Sequence, residues 1–237
     1  MHIISNYIWE KAAEGGVNPL SLVLQQVRVR GREVCLFCVC SSLGKEQGGR
    51  MTEQLVEWFH RCCLPACEGR KLPGLRELLE PELRGIRREL LEPELHGIRR
   101  ELLEPELHGI RRELLEPELH GIQREELSYG GLLLAGSSFY LFGEGDIRAR
   151  LINYRYNRPQ LKELGYPLSG RIQKGVGILL HTPELIKNLE PKELCQILHG
   201  EGRWQEVRMG RRLKELYREG RSRGNTGPVG GIYLGVV

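Results

Sequence analysis

The sequence predicts an α+β layered sandwich with a helical repeat set into it. Three observations lead there. Apolar runs of strand length fall in groups joined by tight turns, without regular strand–helix alternation, which argues against a doubly wound parallel sheet. Stretches of helical apolar period lie between and after those groups. Residues 76–123 repeat one dodecad four times: RELLEPELRGIR, RELLEPELHGIR, RELLEPELHGIR and RELLEPELHGIQ.

Taken in order, LSLVLQQVRV (20–29) and EVCLFCVC (33–40) read as two strands joined by the turn Arg30-Gly31-Arg32. The run FCVCSSLGKEQGG (37–49) then carries a strand into a glycine-rich loop. Met51–Cys62 reads as a helix, because Leu55, Val56 and Phe59 share one face. Within a repeat copy, Leu90, Leu91, Leu95 and Ile98 form a helical apolar stripe. Twelve residues make about 3.3 turns, so in a straight helix the stripe rotates by about 120° per copy. Each copy also holds a proline (Pro81, Pro93, Pro105, Pro117) and a glycine four residues later. Proline lacks an N–H and crowds the preceding turn. The expectation is therefore short helical segments joined at kinks, an insert over 76–123 within one domain spanning 1–237. Beyond it, LSYGGLLLAGSSFYLFGEGD and IRARLINYRYN read as strands, and VGILLHT (176–182) as a short buried strand. Glu184–Leu189 and Pro191–Leu198 read as helical, with Pro191 suited to a first turn. Trp204–Glu219 reads as a further helix and Gly231–Val237 as a closing strand.

Composition narrows the chemistry. The 31 acidic residues are 30 Glu and one Asp, Asp146, where ordinary usage gives on the order of ten Asp. Asp is the short carboxylate favoured in oxygen-liganded metal sites, so an Asp-rich metal cluster is excluded. The chain carries +4; the repeat contributes −4 and the remainder +8. A basic remainder suits anionic partners, phosphorylated or nucleic acid, and equally a solvated basic surface. No nucleic-acid motif stands out. No apolar run reaches membrane-spanning length, and the amino terminus lacks a basic-then-apolar signal pattern. A cytoplasmic protein with free thiols is expected, and the odd count of 7 cysteines agrees.

Other chemistry is weaker. His96, His108 and His120 recur every twelve residues as copied surface positions. Cys35, Cys38 and Cys40 lie on a strand and read as core; a zinc site needs them joined by Cys62, Cys63 and Cys67. No phosphate-loop signature is present.

A set of motifs, in order, resembles the metal-dependent serine/threonine protein phosphatases of type 2C, the PPM family. Cys40-Ser41-Ser42-Leu43-Gly44-Lys45 with Gln47-Gly48-Gly49 is similar to that family's C-D-G-M-G-G loop. Asn18-Pro19-Leu20 lines up with its N-E/Q-D motif. Gly145-Asp146-Ile147-Arg148 is similar to G-D-S-R. Leu179-Leu180-His181-Thr182-Pro183-Glu184-Leu185 looks like L-L-C-T/S-D-G-L. Gly227-Pro228-Val229-Gly230-Gly231 falls on D-N-x-S/T-A. The resemblance spans nearly the whole chain outside the repeat. It implies a four-layer α/β/β/α sandwich.

In the family, aspartates in these motifs hold two divalent metals that activate water. Here those positions are Leu20, Ser41, Pro183 and Gly227; only Asp146 is retained. The family's phosphate-gripping arginine precedes the N-E/Q-D motif, whereas the first arginine here is Arg28. The resemblance therefore implies a pseudophosphatase with no catalytic residue and no cofactor, acting as a protein-binding or regulatory module. Its partner would be a protein, including a phosphorylated one, with no membrane role. The alternative is an active phosphoserine/phosphothreonine phosphatase that holds manganese or magnesium through an unusual ligand set.

Overall fold

The computed structural model describes residues 2–11, 19–42, 47–69, 73–102, 127–154, 160–199 and 206–236, with backbone alone for 91–102, 199 and 206–208. Ten strands are described: β1 (Ile3–Glu10), β2 (Leu20–Val29), β3 (Arg32–Ser42), β4 (Leu127–Ala135), β5 (Ser138–Glu144), β6 (Arg148–Asn153), β7 (Gln160–Leu164), β8 (Leu168–Arg171), β9 (Val176–His181) and β10 (Val229–Val236). The helices are α1 (Gln47–Trp58), α2 (Leu64–Cys67), α3 (Leu75–Leu102), α4 (Pro191–His199) and α5 (Glu206–Ser222). A π-helical turn, Phe59–Cys63, joins α1 to α2.

The strands form two antiparallel five-stranded sheets. Sheet 1 runs β1-β10-β9-β6-β7 and sheet 2 runs β2-β3-β4-β5-β8. Their facing surfaces bury Phe37, Val39, Leu132, Leu134, Ile178, Leu180, Ile232 and Leu234 together. The outer face of sheet 2 buries Leu36, Cys38, Cys40 and Leu133 against Met51, Leu55 and Phe59 of the α1 region and Leu79 and Leu83 of α3. The outer face of sheet 1 buries Ile8, Leu179 and Tyr233 against Leu194, Leu198, Met209, Leu213 and Leu216. Four layers, α/β/β/α, follow from these three cores. This explains why β3 is apolar without interruption from Val34 to Cys40: both its faces are covered, so alternation between core and solvent disappears. Its hairpin with β2 turns at Arg30 and Gly31, both at positive φ (48° and 76°), the primed geometry that matches strand twist.

The repeat departs from expectation. No break occurs at Pro81 or Pro93: α3 is one helix from Leu75 to Leu102. Nor is the first copy an appendage. Leu75, Leu79, Leu83, Ile86 and Leu90, at steps of four, four, three and four, are buried on sheet 2 and α1. Each such leucine stabilises by about 2 kcal/mol. Pro81 is exposed, on the side where water can meet a carbonyl deprived of its helical partner. The expected rotation of the stripe is visible: Leu90 is the second copy's equivalent of Leu78, not of Leu79. Glu80 accepts a hydrogen bond from Tyr140 (3.1 Å), Gln54 donates to Glu89 (2.6 Å), and Arg87 pairs with Glu144. Pro105, Pro117, His108 and His120 lie outside the described residues, as does the side chain of His96.

Smaller differences have local causes. Helix α1 begins at Gln47, so Gly48 and Gly49 belong to its first turn; the loop 43–46 lies outside the described residues. The expected helix over Glu184–Leu189 is a single 3-10 turn, Pro183–Leu185. Helix α5 runs to Ser222, beyond Glu219. Strands β7 and β8 carry too few apolar residues to declare themselves by pattern, and β1, with Ile3, Ile4, Tyr7, Ile8 and Trp9, is a further strand beyond those expected.

Candidate functional site

The positions singled out by motif gather at one end of the sandwich. Leu20 opens β2 and pairs in register with Ser41 at the end of β3; Ser41 pairs in turn with Ser128 of β4. By strand alternation Ser41 shares the face of Val39 and Phe37, toward the other sheet. The Ser128 hydroxyl accepts a hydrogen bond from the Asp146 N–H (3.2 Å). Asp146 thus sits in the turn that carries the chain from sheet 2 into β6 of sheet 1. Across the gap, Thr182 follows β9 and is locked to β10: its N–H donates to the Gly230 carbonyl (2.9 Å) and its hydroxyl accepts from the Gly230 N–H (3.1 Å). Leu20, Thr182 and Gly230 meet between the sheets. A Cβ on Gly230 would lie 3.2 Å from Leu20 Cδ1, so glycine here permits the close approach.

The segment before β10 is clamped from beneath. Arg221 donates to the carbonyls of Asn225 (2.6 Å) and Gly227 (3.1 Å), and to that of Lys11 (2.8 Å). Asn225 donates to the Glu184 carbonyl (2.8 Å) and accepts from Asn188 (2.6 Å). These bonds hold Gly227 beside Pro183–Glu184. A side chain at position 227 would meet Glu184, whose Cγ lies 2.7 Å from the place of its Cβ.

The side chains at this end do not fit a binuclear divalent centre. Leu20 is apolar and 4% exposed, sealing the gap where a ligand would project. Ser41 offers a neutral hydroxyl, while Pro183 and Gly227 offer no donor. The nearest carboxylate, Glu184, is paired with Lys187 at 3.0 Å. Asp146 is 72% exposed and 3.9 Å from Arg148. Divalent ions of this class draw their affinity from several converging carboxylates. Among the described residues no group of three or more His, Cys, Asp or Glu is placed to hold a metal ion.

The cysteines divide by strand alternation. Cys35 faces the other sheet, whereas Cys38 and Cys40 face the helices, with Sγ atoms 3.5 Å apart, in the same core as Cys63 and Cys67. Burial first, then the Glu33 charge, pushes the Cys35 thiol up to about 12. Cys35 is thus an inert core thiol.

One group here escaped the motif reading as a chemical feature. His181 is 1% exposed, and burial holds its imidazole down to about 4. Its position at the end of β9 was visible in the sequence, but nothing local announced that the strand turns it outward beneath α4.

The sequence matches no protein-family model and no curated protein. Solved structures do match along the whole chain. A bacterial serine phosphatase superposes with a TM-score of 0.65 at 13% identity, covering 100% of this chain and 98% of that one. PppA, a regulatory component of the type VI secretion system of Pseudomonas aeruginosa, gives 0.64 at 15% identity, covering 100% and 99%. The catalytic domain of the serine/threonine protein phosphatase PstP, solved with two manganese ions, gives 0.60 at 15%, covering 100% of both. The fold is that of the PPM-type phosphatases.

Proposed function

We propose that this chain is a pseudophosphatase: a degenerate PPM-type domain that serves, in the cytoplasm, as a protein-binding or regulatory module without hydrolysing phosphate esters. The observation that carries the reading is the donor set at the strand ends. Leu20, Ser41, Pro183 and Gly227 supply no carboxylate where the fold's catalytic relatives need several, and Leu20 is packed into the core. In-line attack on phosphorus depends on metals that generate hydroxide and absorb the developing charge. Without converging carboxylates neither role has a support, so no cofactor is expected. The partner is a protein, including a phosphorylated one, in keeping with the +8 carried outside the repeat. No motif points to nucleic acid and no membrane partner is expected; among the described residues no helix is long and apolar enough to cross a bilayer.

The test is hydrolysis of p-nitrophenyl phosphate and of a phosphoserine peptide with manganese or magnesium, alongside calorimetric titration of the metal. Rates at the buffer level and no saturable metal binding are expected. Hydrolysis well above buffer that a chelator abolishes would overturn the reading in favour of an active phosphatase with a different ligand set.

A further inference from the structure

Outside the strand-end site, the outer face of sheet 1 holds a cavity of about 440 Å³ between β6, β7 and the segment Pro183–Leu194. Arg148 and Arg150 of β6, Glu163 of β7, His181 of β9 and Lys187 line it. Register explains the grouping: Arg148 pairs with His181 and Arg150 with Leu179 across β6 and β9, and Leu179 faces the α4–α5 core. Three cations and one carboxylate therefore share one hollow.

Two buried nitrogens in this lining lack a hydrogen-bond partner among the described residues: Arg150 Nε and His181 Nε2. Their needs are opposite. Arg150 Nε carries hydrogen and can only donate. His181 Nδ1 lies 2.8 Å from the Thr182 carbonyl, which can only accept, so Nδ1 holds the proton. The neutral ring then presents a lone pair at Nε2. Leaving such groups unmet is costly, and together they describe the missing occupant: it accepts from a guanidinium and donates to an imidazole. The cations add that it is negative. Arg148 lies 3.9 Å from Asp146 and Arg150 3.6 Å from Glu163, both beyond hydrogen-bonding distance, while Lys187 is held by Glu184 at 3.0 Å.

We propose that this cavity is a binding site for a hydroxyl-bearing tetrahedral oxyanion of the inorganic phosphate class. Arg148 and Arg150 grip the anionic oxygens, Lys187 adds charge at the mouth, and His181 Nε2 accepts the ligand's O–H. Water would meet the donor and the acceptor but not the excess of positive charge in the lining, where Arg148, Arg150 and Lys187 face one carboxylate, Glu163. Sulfate has the shape and charge of phosphate and no hydroxyl at neutral pH. A phosphoserine side chain loses its last phosphate proton at a pKa of about 6. The donor–acceptor pattern thus selects free phosphate over both. The cavity opens on the other face of sheet 1 from the strand-end gap, because His181 and Thr182 are successive residues and point to opposite sides, and the two adjoin at Pro183. It stands whether or not the chain hydrolyses esters.

The test is calorimetric titration of the full chain at pH 7.5 with inorganic phosphate, sulfate and phosphoserine in parallel. Saturable phosphate binding is expected, at least about tenfold tighter than either of the others, the scale of one charge-assisted hydrogen bond. Arg150→Met should weaken it about tenfold or more on the same grounds. Lys187→Met, at an exposed position safe for folding, should weaken it by a few-fold. The site is refuted by an absence of saturable phosphate binding, or by unchanged affinity in Arg150→Met. Equal affinity for sulfate removes the role given to His181 and overturns the proposal as stated.

Discussion

Thr182 and His181, neighbours at the end of β9, open on two regions of opposite character. On the inner side, Thr182 meets Leu20 and Gly230 in a gap closed by an apolar side chain and backbone hydrogen bonds. On the outer side, His181 lies with Arg148 and Arg150 in a cavity whose buried nitrogens are not all satisfied. The strand-end gap is closed by packing; the outer cavity gathers charge and leaves polar groups without partners among the described residues. Alternation along a strand makes this possible, since adjacent residues answer to different cores. Substitutions can erode one face without touching the chemistry of the other.

The comparison breaks first at Leu20. If the strand-end site is now packing, Leu20→Asp buries a carboxylate against Gly230 with no cation to receive it. A loss of stability on the order of 4 kcal/mol in denaturant unfolding is expected, and manganese should not restore it. Recovery of the lost stability by manganese would show that the remaining oxygens still form a metal site.

The outer cavity is read through pH. Burial first, with the Arg150 and Arg148 charges helping, holds His181 near 4 against its ordinary 6.5, and only the Thr182 hydrogen bond opposes them. The folded value is depressed, so the unfolded chain binds the extra proton. The contribution is whole above pH 6.5, declines as pH falls and is gone by about 4. Its size is about 3 kcal/mol, from about 1.4 kcal/mol per pH unit. Unfolding free energies measured from pH 7 to 4 should show this slope, and a His181→Phe variant should lack that component. A slope unchanged in the variant would mean that His181 titrates alike in both states.

Asp146 gives the smallest expected effect. As an exposed turn residue whose backbone N–H makes its structural bond, it should accept Asn with a change within about 0.5 kcal/mol. A loss of several-fold in partner binding or in metal-dependent turnover for Asp146→Asn would give this carboxylate a role that the turn alone does not.

Much of the architecture was legible in the residues. The apolar runs of β2, β4 and β9 and the helical stripes of α1, α4 and α5 each announce their own element. The Arg30-Gly31 turn was equally plain, because glycine supplies a positive φ cheaply. Less legible were β7 and β8, edge elements with few buried side chains, and the 3-10 turn at Pro183–Leu185, where bonds from Asn225 and Asn188 far along the chain shape the backbone. The unbroken passage of α3 through Pro81 was misread, since local rules price a proline without knowing that its side of the helix faces water. The outer cavity was invisible, because Arg148, Arg150, His181 and Lys187 come from three separate segments that only the sheet register and the segment after β9 bring together.

The sequence by itself determined the poverty of carboxylate at the strand ends. With one Asp in 237 residues, no arrangement of this backbone could place aspartates at Leu20, Ser41, Pro183 and Gly227. Tertiary structure decided what became of the repeat. Four near-identical dodecads have the same propensities and the same stripe, so nothing local distinguishes them. Among the described residues, the outer face of sheet 2, with α1 beside it, buries Leu79, Leu83 and Ile86 of the first copy and Leu90 of the second, because burial needs a facing surface as well as an apolar side chain.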